Sequence, residues 1–431
     1  MKYISIEKAI KKSNGKVAIR GWVYRERKQK EMVFIVIRDV TDIIQCVIKK
    51  DKVSKEIWDD AEKITVESSL ELSGEIRPDE RAPAGYEIGV EEMRIVGLAE
   101  PFPITKDKSP EFLLDKRHLW LRSRKLTTVM KIRSTVTGAI HKFFRERGYY
   151  EFTPPILQPM QCEGGATLFE VKYYKDKTYL SQSWQLYAEA AIFALEKVYD
   201  VSPTFRAELS KTSRHLSEFW MAEMEVAWME LDECVQVAKD EIRFILKEVL
   251  KKHKKDLESI GQDVKKLEEV AKKKFLTITY RDALKILEEK EGMKIKFGKD
   301  LRTIEEDKLM KHFDTPVAVT HYPKEIMAFY KPRDPKDPET AICFDVLLPE
   351  GYGEAVGGSQ RDTDTQELIK SLKKMGEDTS KYKFYLDLRK YGSVPHSGYG
   401  LGVERLIAWI CKLDNIKDSI PFPRTMLRKE P

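Results

Sequence analysis

From Val17 to Val96 the chain is written as short strands broken by turns, and this stretch restricts the fold more than any other. GKVAIRGWVYRER alternates apolar and polar residues, MVFIVIRD is a compact apolar run, and IIQCVIK follows a turn at 40–42. SSLELSGEIR and YEIGVEEMRIV come later, separated by the Pro- and Gly-rich PDERAPAG. A period of two puts successive side chains on opposite faces of a strand. Five strands in roughly 80 residues, with one helical insert near 54–63, predict a small closed β-barrel. LAEPFPITKDKSPEF, with Pro101, Pro103 and Pro110, then reads as a linker.

Beyond it the pattern changes. Val129, Ile132, Val136, Ile140 and Phe143 recur at helical spacing, and that helix is expected to stop at Gly148. YYEFTPPIL reads as a strand that Pro154 and Pro155 confine to a sheet edge or an interface. Lys- and Glu-rich helices with a solvated face fill 240–274, inside a helical insertion at about 235–320. AICFDVLL and KFYLDL read as further strands. Without βαβ alternation the sheet is expected to be mixed or antiparallel, giving an α+β fold. The boundaries are a barrel over 1–97, a linker over 98–122 and a second domain over 123–431. An OB-fold, whose strand 2–3 face holds nucleic acid in many proteins, is the natural candidate for the barrel, with any other small Greek-key barrel as the alternative.

Composition narrows the class. A hydrophobic fraction of 42 % excludes disorder for most of the 431 residues. Charged residues make up 34 %, consistent with the surface ion-pair networks of a heat-tolerant protein. The net charge of +6 is compatible with a polyanionic partner without requiring one. Cys46, Cys162, Cys234, Cys343 and Cys411 are scattered with no Cys-x-x-Cys pair, which argues for a reducing compartment and against a structural zinc site. The N-terminal MKYISIEKAIKKSNG lacks a signal-peptide core, and no apolar run is long enough to span a bilayer. A soluble, cytoplasmic protein without membrane contact is expected.

No Gly-x-x-x-x-Gly-Lys-Ser/Thr loop or His-Glu-x-x-His helix is present, so neither a P-loop nor a zincin is supported. The dense chemical signal is FRAELSKTSRHLSEFW at 205–220. It carries Arg206, Lys211, Arg214 and His215 among Glu208 and Glu218, followed by Phe219 and Trp220. Arginine forks suit phosphate and carboxylate oxygens, and an aromatic ring offers a stacking face for a base. Arg405, in GLGVERLIAWI, follows glycines that allow close backbone approach and sits one turn into a helix, a favourable place for phosphate. In FDVLLPEGYGEAVGGSQR, Asp345 and Glu354 are hard oxygen donors suited to Mg²⁺, and Arg361 lies behind an expected bend at Gly357–Gly358. These parts can bind a nucleoside triphosphate without a P-loop.

FRAE…RHLSEFW resembles motif 2, and GLGVERL motif 3, of the class II aminoacyl-tRNA synthetases. RERGYYEFTPPIL is similar to their motif 1, with Pro155 at its hallmark proline. With the N-terminal barrel, the resemblance is to the aspartyl/asparaginyl/lysyl subgroup and covers nearly the whole chain. It implies an antiparallel catalytic sheet flanked by helices, a homodimer formed through motif 1, ATP as substrate and Mg²⁺ as cofactor. It implies that Arg206 holds the ATP α-phosphate and the amino acid carboxylate. By the same resemblance Phe219 would stack on adenine, Glu208 would help read it, and Arg405 would clamp the γ-phosphate. Arg214, His215 and Leu216 complete the ATP set, with Asp345 and Glu354 as metal ligands. Where aspartyl enzymes carry a serine three residues after that glutamate, this chain has Gly357.

The resemblance also places EGGATLF (163–169, beginning with Glu163) as a loop closing over the amino acid, and puts Ser183 and Gln185 against it. Aspartyl enzymes usually read QLYKQ where this chain reads QLYAE, so their substrate-pairing lysine is Ala188 here, and their motif 2 aspartate is Glu223. A less positive pocket suits a neutral amide: its carbonyl oxygen can accept from Arg361, and its NH₂ can donate to Glu223. L-asparagine and tRNA(Asn) are therefore the expected substrates, as in archaeal-type members. A relaxed aspartyl enzyme, or a synthetase-derived enzyme making asparagine from aspartyl-adenylate, is the rival reading. On the barrel, the resemblance places Phe34 against the middle anticodon base with Gln45 hydrogen-bonding it. Arg27 and Lys28, in an expected loop between the first two strands, would take backbone phosphates.

Overall fold

The computed structural model describes residues 2–105, 108–163, 168–209, 212 and 214–431. They form two compact units dividing between Leu119 and Trp120.

In the first unit, β1 (Gly15–Lys28), β2 (Met32–Arg38), β3 (Ile43–Lys49), β4 (Ser69–Pro78) and β5 (Tyr86–Gly97) close into a barrel in the order β1-β2-β3-β5-β4. The period-two pattern is the reason for closure. In β2, Val33, Ile35 and Ile37 are fully buried in the barrel core, while Met32, Phe34 and Val36 face outward. The expected insert is the helix Lys55–Lys63, capped by Ser54, which plugs Trp58 and Ala61 into that core. Arg27 and Lys28 are not in a loop but at the end of β1. Lys28 Nζ donates to the carbonyls of Glu62 and Ile64 at 2.8 and 2.7 Å, so the protein's own helix terminus engages this cation.

The second unit is built on an eight-stranded sheet. Its strands are β6 (Tyr150–Glu151), β10 (Lys197–Phe205), β11 (Glu218–Ala227), β12 (Leu276–Thr279), β13 (Val317–Thr320), β14 (Cys343–Leu348), β15 (Gly353–Gln360) and β16 (His396–Gly402). They run in the order β12-β13-β14-β15-β16-β11-β10-β6. The two outermost pairings are parallel and the rest antiparallel. β7 (Leu157–Gln158), β8 (Glu170–Tyr173) and β9 (Asp176–Leu180) form a separate small sheet. The helix Arg124–Arg145 buries Val129, Ile132, Val136, Ile140 and Phe143 in the main core and is followed by Gly148 at φ +76°.

Three expectations are corrected. YYEFTPPIL is not one strand: β6 pairs at the sheet edge, β7 joins the small sheet, and Pro154 and Pro155 belong to neither, since neither can donate to a ladder. The segment at about 235–320 is not a purely helical insertion, and its first helix presents more than the solvated face expected over 240–274. The helix Leu231–Ser259 buries Ile242, Ile245, Leu246 and Val249 in the main core, and the segment supplies β12 and β13. Its charged residues conceal an inward apolar stripe. KFYLDL forms a short helix, Lys383–Asp387, because a brief apolar run does not distinguish strand from buried helix. All five cysteines are free and buried. Among the described residues no helix is long and apolar enough to cross a membrane.

Candidate active site

The sheet carries a cavity of about 540 Å³. Its floor depends on β16 lying between β11 and β15, with Glu223 opposite Gly400, Glu225 opposite Gly398, and Gly357 opposite Gly400. A Cβ on Gly400 would lie 2.4 Å from Met221 Cε, and one on Gly398 would lie 2.1 Å from Glu225 Oε2 and 2.4 Å from the Met224 carbonyl oxygen. Glycine keeps this strand bare where β11 sends its carboxylates across. Gly398→Ala is therefore expected to cost about 3 kcal/mol or more, because backbone as well as side chain must move. A thermal melt reads this directly, and an unchanged Tm would refute the packing.

The residues expected to serve ATP, the amino acid and the metal all line this one cavity: Glu163, Ser183, Gln185, Arg206, Glu208, Arg214, His215, Leu216, Phe219, Glu223, Asp345, Glu354, Gly357, Arg361 and Arg405. The β10–β11 hairpin brings Arg206 and Phe219 together, with the guanidinium 5.4 Å from the ring centroid. Arg206 Nε is buried with no hydrogen-bond partner among the described residues. Arg405 stands in the first turn of the helix Val403–Ile410 and donates to the carbonyls of Tyr352 and Arg214 at 3.2 and 3.1 Å. Arg214 is held by Asp307 at 2.9 Å, and Glu208 lies 3.9 Å from His215. Burial lowers the pKa of Arg405, with Glu354 and Glu306 opposing. Residues 164–167 of the expected closing loop, and Ser210, Lys211 and Ser213 of the hairpin, lie outside the described residues.

Asp345 and Glu354 face the same cavity from neighbouring strands. Gly357 and Gly358 lie within β15 and make no bend. A Cβ on Gly357 would sit 2.8 Å from Glu354 Oε1 and 3.6 Å from Asp345 Oδ1, so its bareness leaves room for both carboxylates. Burial, then the charge of Glu354, pushes Asp345 well above the usual carboxylate range, and burial raises Glu354 despite Arg405 and Arg206. Two buried carboxyls converging on one space fit a hard divalent cation.

At the amino acid end, Glu223 is buried. Its Oε2 accepts from Ser183 Oγ at 2.6 Å, and its Oε1 has no hydrogen-bond partner among the described residues. Burial pushes its pKa up to about 8 against the hydrogen bond from Ser183. Arg361 is clamped by Glu225, with Nε to Oε1 at 3.0 Å and Nη2 to Oε2 at 2.8 Å, and lies 5.2 Å from the Tyr330 ring centroid. Tyr330 OH donates to Glu163 at 3.0 Å. Ala188 does not line the cavity. It is fully buried beside Trp184, Ala191 and Ile192, so its lack of charge, not a contact, is what it contributes. Sequence reasoning missed Gln182, Tyr330, Lys331, Asp300 and Glu306 in the cavity wall. Gln182 directly precedes Ser183 in LSQSWQLYAE, so that segment could have marked it; the other four are isolated polar residues with no local signal.

Residues 109–426 match the family described as tRNA synthetases class II (D, K and N), and residues 17–96 match the OB-fold nucleic acid binding domain. The chain belongs to the class II tRNA synthetases of this aspartate, lysine and asparagine group. It is 46 % identical over 416 residues, 96 % of each chain, to an asparagine–tRNA ligase of Thermococcus kodakarensis. An asparaginyl-tRNA synthetase from Pyrococcus horikoshii complexed with asparaginyl-adenylate superposes at a TM-score of 0.95, with 43 % identity and full coverage of both chains. The aspartyl-tRNA synthetase from Entamoeba histolytica matches at a TM-score of 0.87 with 28 % identity, over 100 % of this chain and 93 % of that one. Within the group the chain belongs with the asparagine–tRNA ligases.

Proposed function

We propose that the chain activates L-asparagine with ATP, forming asparaginyl-adenylate and pyrophosphate, and passes the asparaginyl group to the 3′ end of tRNA(Asn). The observation that carries the amino acid choice is the unpartnered Oε1 of buried Glu223, two residues along β11 from the Glu225 that clamps Arg361. An asparagine amide donates its NH₂ to Glu223 and accepts from Arg361. With Glu223 ionised, as the amide contact favours, an aspartate carboxylate meets like charge with no donor, a mismatch of about 2–5 kcal/mol.

The substrate carboxylate is ionised near neutral pH and attacks the α-phosphorus in line, breaking its bond to the pyrophosphate oxygen without a side-chain base. Arg206 holds the α-phosphate and the amino acid carboxylate. Phe219 stacks on adenine, Glu208 reads it, and Leu216 packs beside it. Arg405, fixed by its two carbonyl contacts, faces the γ-phosphate, with Arg214 and His215 on the outer phosphates. Asp345 and Glu354 would hold Mg²⁺, which offsets phosphate charge when bound. Glu163, Ser183, Gln185 and Gly357 shape the amino acid end.

On the barrel, Phe34 stacks on an anticodon base. Gln45 stands on β3, on the same outward face, since Phe34 pairs with Val47 two residues along. Arg27, directly across β1 from Phe34, takes a phosphate; Lys28, committed to the helix terminus, is the weaker contact. Exposed Tyr150 on the edge strand β6, with exposed Ile156 and Leu157 just beyond Pro155, marks the homodimer face. The protein works in the cytoplasm.

Amino-acid-dependent ATP–pyrophosphate exchange tests the reading. Asparagine is expected to support exchange at least about 30-fold more efficiently than aspartate. Because Glu223 accepts from the amide best when ionised, and its pKa in the free protein is pushed up to about 8, half-saturation by asparagine improves as pH rises from 6.5 to 8. Exchange with aspartate alone overturns the proposal.

A further inference from the structure

Glu189, in the helix Gln185–Leu195, is fully buried and accepts four hydrogen bonds. Gln185 Nε2 donates at 3.0 Å, Tyr385 OH at 3.1 Å and His396 Nε2 at 3.0 Å, and Arg389 Nη2 also donates. The other His396 nitrogen, Nδ1, faces the Val394 carbonyl oxygen at 2.8 Å. Both ring nitrogens thus face groups that only accept, so the imidazole carries both protons and a positive charge. One carboxylate is thereby shared by two buried cations, Arg389 and His396. Burial alone would raise the pKa of Glu189, but Arg389, His396 and Arg361 outweigh it and hold the group ionised.

This cluster touches the amino acid pocket at two points. Gln185, held by Glu189, lines the cavity. Arg361 also lines it, clamped by Glu225, whose carboxylate lies within 4.8 Å of the Glu189 and His396 ligand atoms. Two carboxylates and a histidine this close could hold a metal ion, but the guanidinium groups of Arg361 and Arg389 already supply the cationic charge. The charges instead set the potential at the pocket wall. Arg361, Arg389 and His396 face Glu225 and Glu189; without Glu189, three buried cations share one carboxylate. An incoming substrate carboxylate would then serve as the missing counter-ion.

We propose that Glu189 is a specificity-determining positioning residue: it neutralises Arg389 and His396 beside the pocket and so keeps the pocket from accepting a carboxylate side chain in place of an amide. This rests on the asparagine reading above and goes beyond it, because Glu189 lies behind the cavity wall and does not line the cavity. The effect belongs to charge rather than shape, so variants of opposite charge must act in opposite directions.

The test is pyrophosphate exchange with asparagine and with aspartate on purified full-length variants. Glu189→Gln should lower the asparagine-to-aspartate ratio of kcat/KM at least about tenfold, mainly through a lower KM for aspartate, the change that ~1.4 kcal/mol produces. Glu189→Asp, which keeps the charge, should hold the ratio near that of the wild type. Arg389→Gln, which removes a positive charge, should raise the ratio or leave it unchanged. An unaltered ratio in Glu189→Gln overturns the proposal, and so does an equal fall in Glu189→Gln and Arg389→Gln, which would mark a packing role. Absence of asparagine-dependent exchange in the wild type would instead refute the substrate reading itself.

Discussion

Arg206→Ala is expected to lower kcat of asparagine-dependent pyrophosphate exchange by about 10²–10³-fold while leaving the fold intact. Three features support this size. The side chain leaves β10 immediately after Phe205, at the mouth of the hairpin, where the Arg206 N–H to Ser217 carbonyl bond of 3.0 Å fixes the backbone. Its Nε is buried yet unpartnered, so part of its hydrogen-bonding capacity is held open toward the cavity it lines. In the proposed reaction it meets charge that grows on the α-phosphate oxygens, and donors aimed at developing charge in a water-poor site contribute more than ground-state contacts do. Removing a buried but unsatisfied donor costs the fold little, so Tm should hold. Arg206→Lys should recover only part of the loss, because a point charge cannot reproduce a planar fork. Undiminished exchange in Arg206→Ala would remove this residue from the chemistry.

The second large effect concerns the barrel. Phe34→Ala should weaken tRNA charging by about 10–100-fold in kcat/KM, the range set by ~1–3 kcal/mol for stacking one base, with pyrophosphate exchange unchanged. The split between the two assays follows from geometry. Phe34 faces out of β2 and is absent from the barrel core, which Val33, Ile35 and Ile37 fill from the same strand. An aromatic ring held on a barrel surface between Arg27 and the strand carrying Gln45 supplies a stacking face with polar neighbours. Comparable loss in both assays, or a marked drop in Tm, would show that the ring serves the fold instead.

Much of this was legible before any coordinates. The alternation in MVFIVIRD states which side chains of β2 enter the barrel, and the 3.6-residue recurrence from Val129 to Phe143 states which face of the helix Arg124–Arg145 meets the sheet. These patterns are local, and burial of one face is their direct physical consequence. The cavity residues were legible for a different reason. Arg206, Phe219, Asp345, Glu354 and Arg405 stand in short segments whose chemistry is dense within a few residues. Reading failed where a residue's environment came from a distant segment. Lys28 looked free for phosphate until the helix Lys55–Lys63 presented its last carbonyls. Gly357 and Gly358 looked like a bend, yet they are strand residues left bare for Glu354 on one side and Phe344 on the other.

By itself, then, the sequence determined that a β-barrel precedes an α+β domain, which helix face is buried, and which charged residues could serve a nucleotide and an amino acid. Those properties follow from periodicity and side-chain chemistry within a window of about a dozen residues. Only the tertiary structure decided that Leu276–Thr279 and Val317–Thr320 complete the sheet, that Arg361 is clamped by Glu225, and that Glu189 gathers Gln185, Tyr385, Arg389 and His396. Each of these joins groups far apart in the chain. Strand pairing and buried ion pairs are decided by which elements come to lie side by side, and a buried charge takes whatever partner the fold delivers, since leaving it alone is too costly.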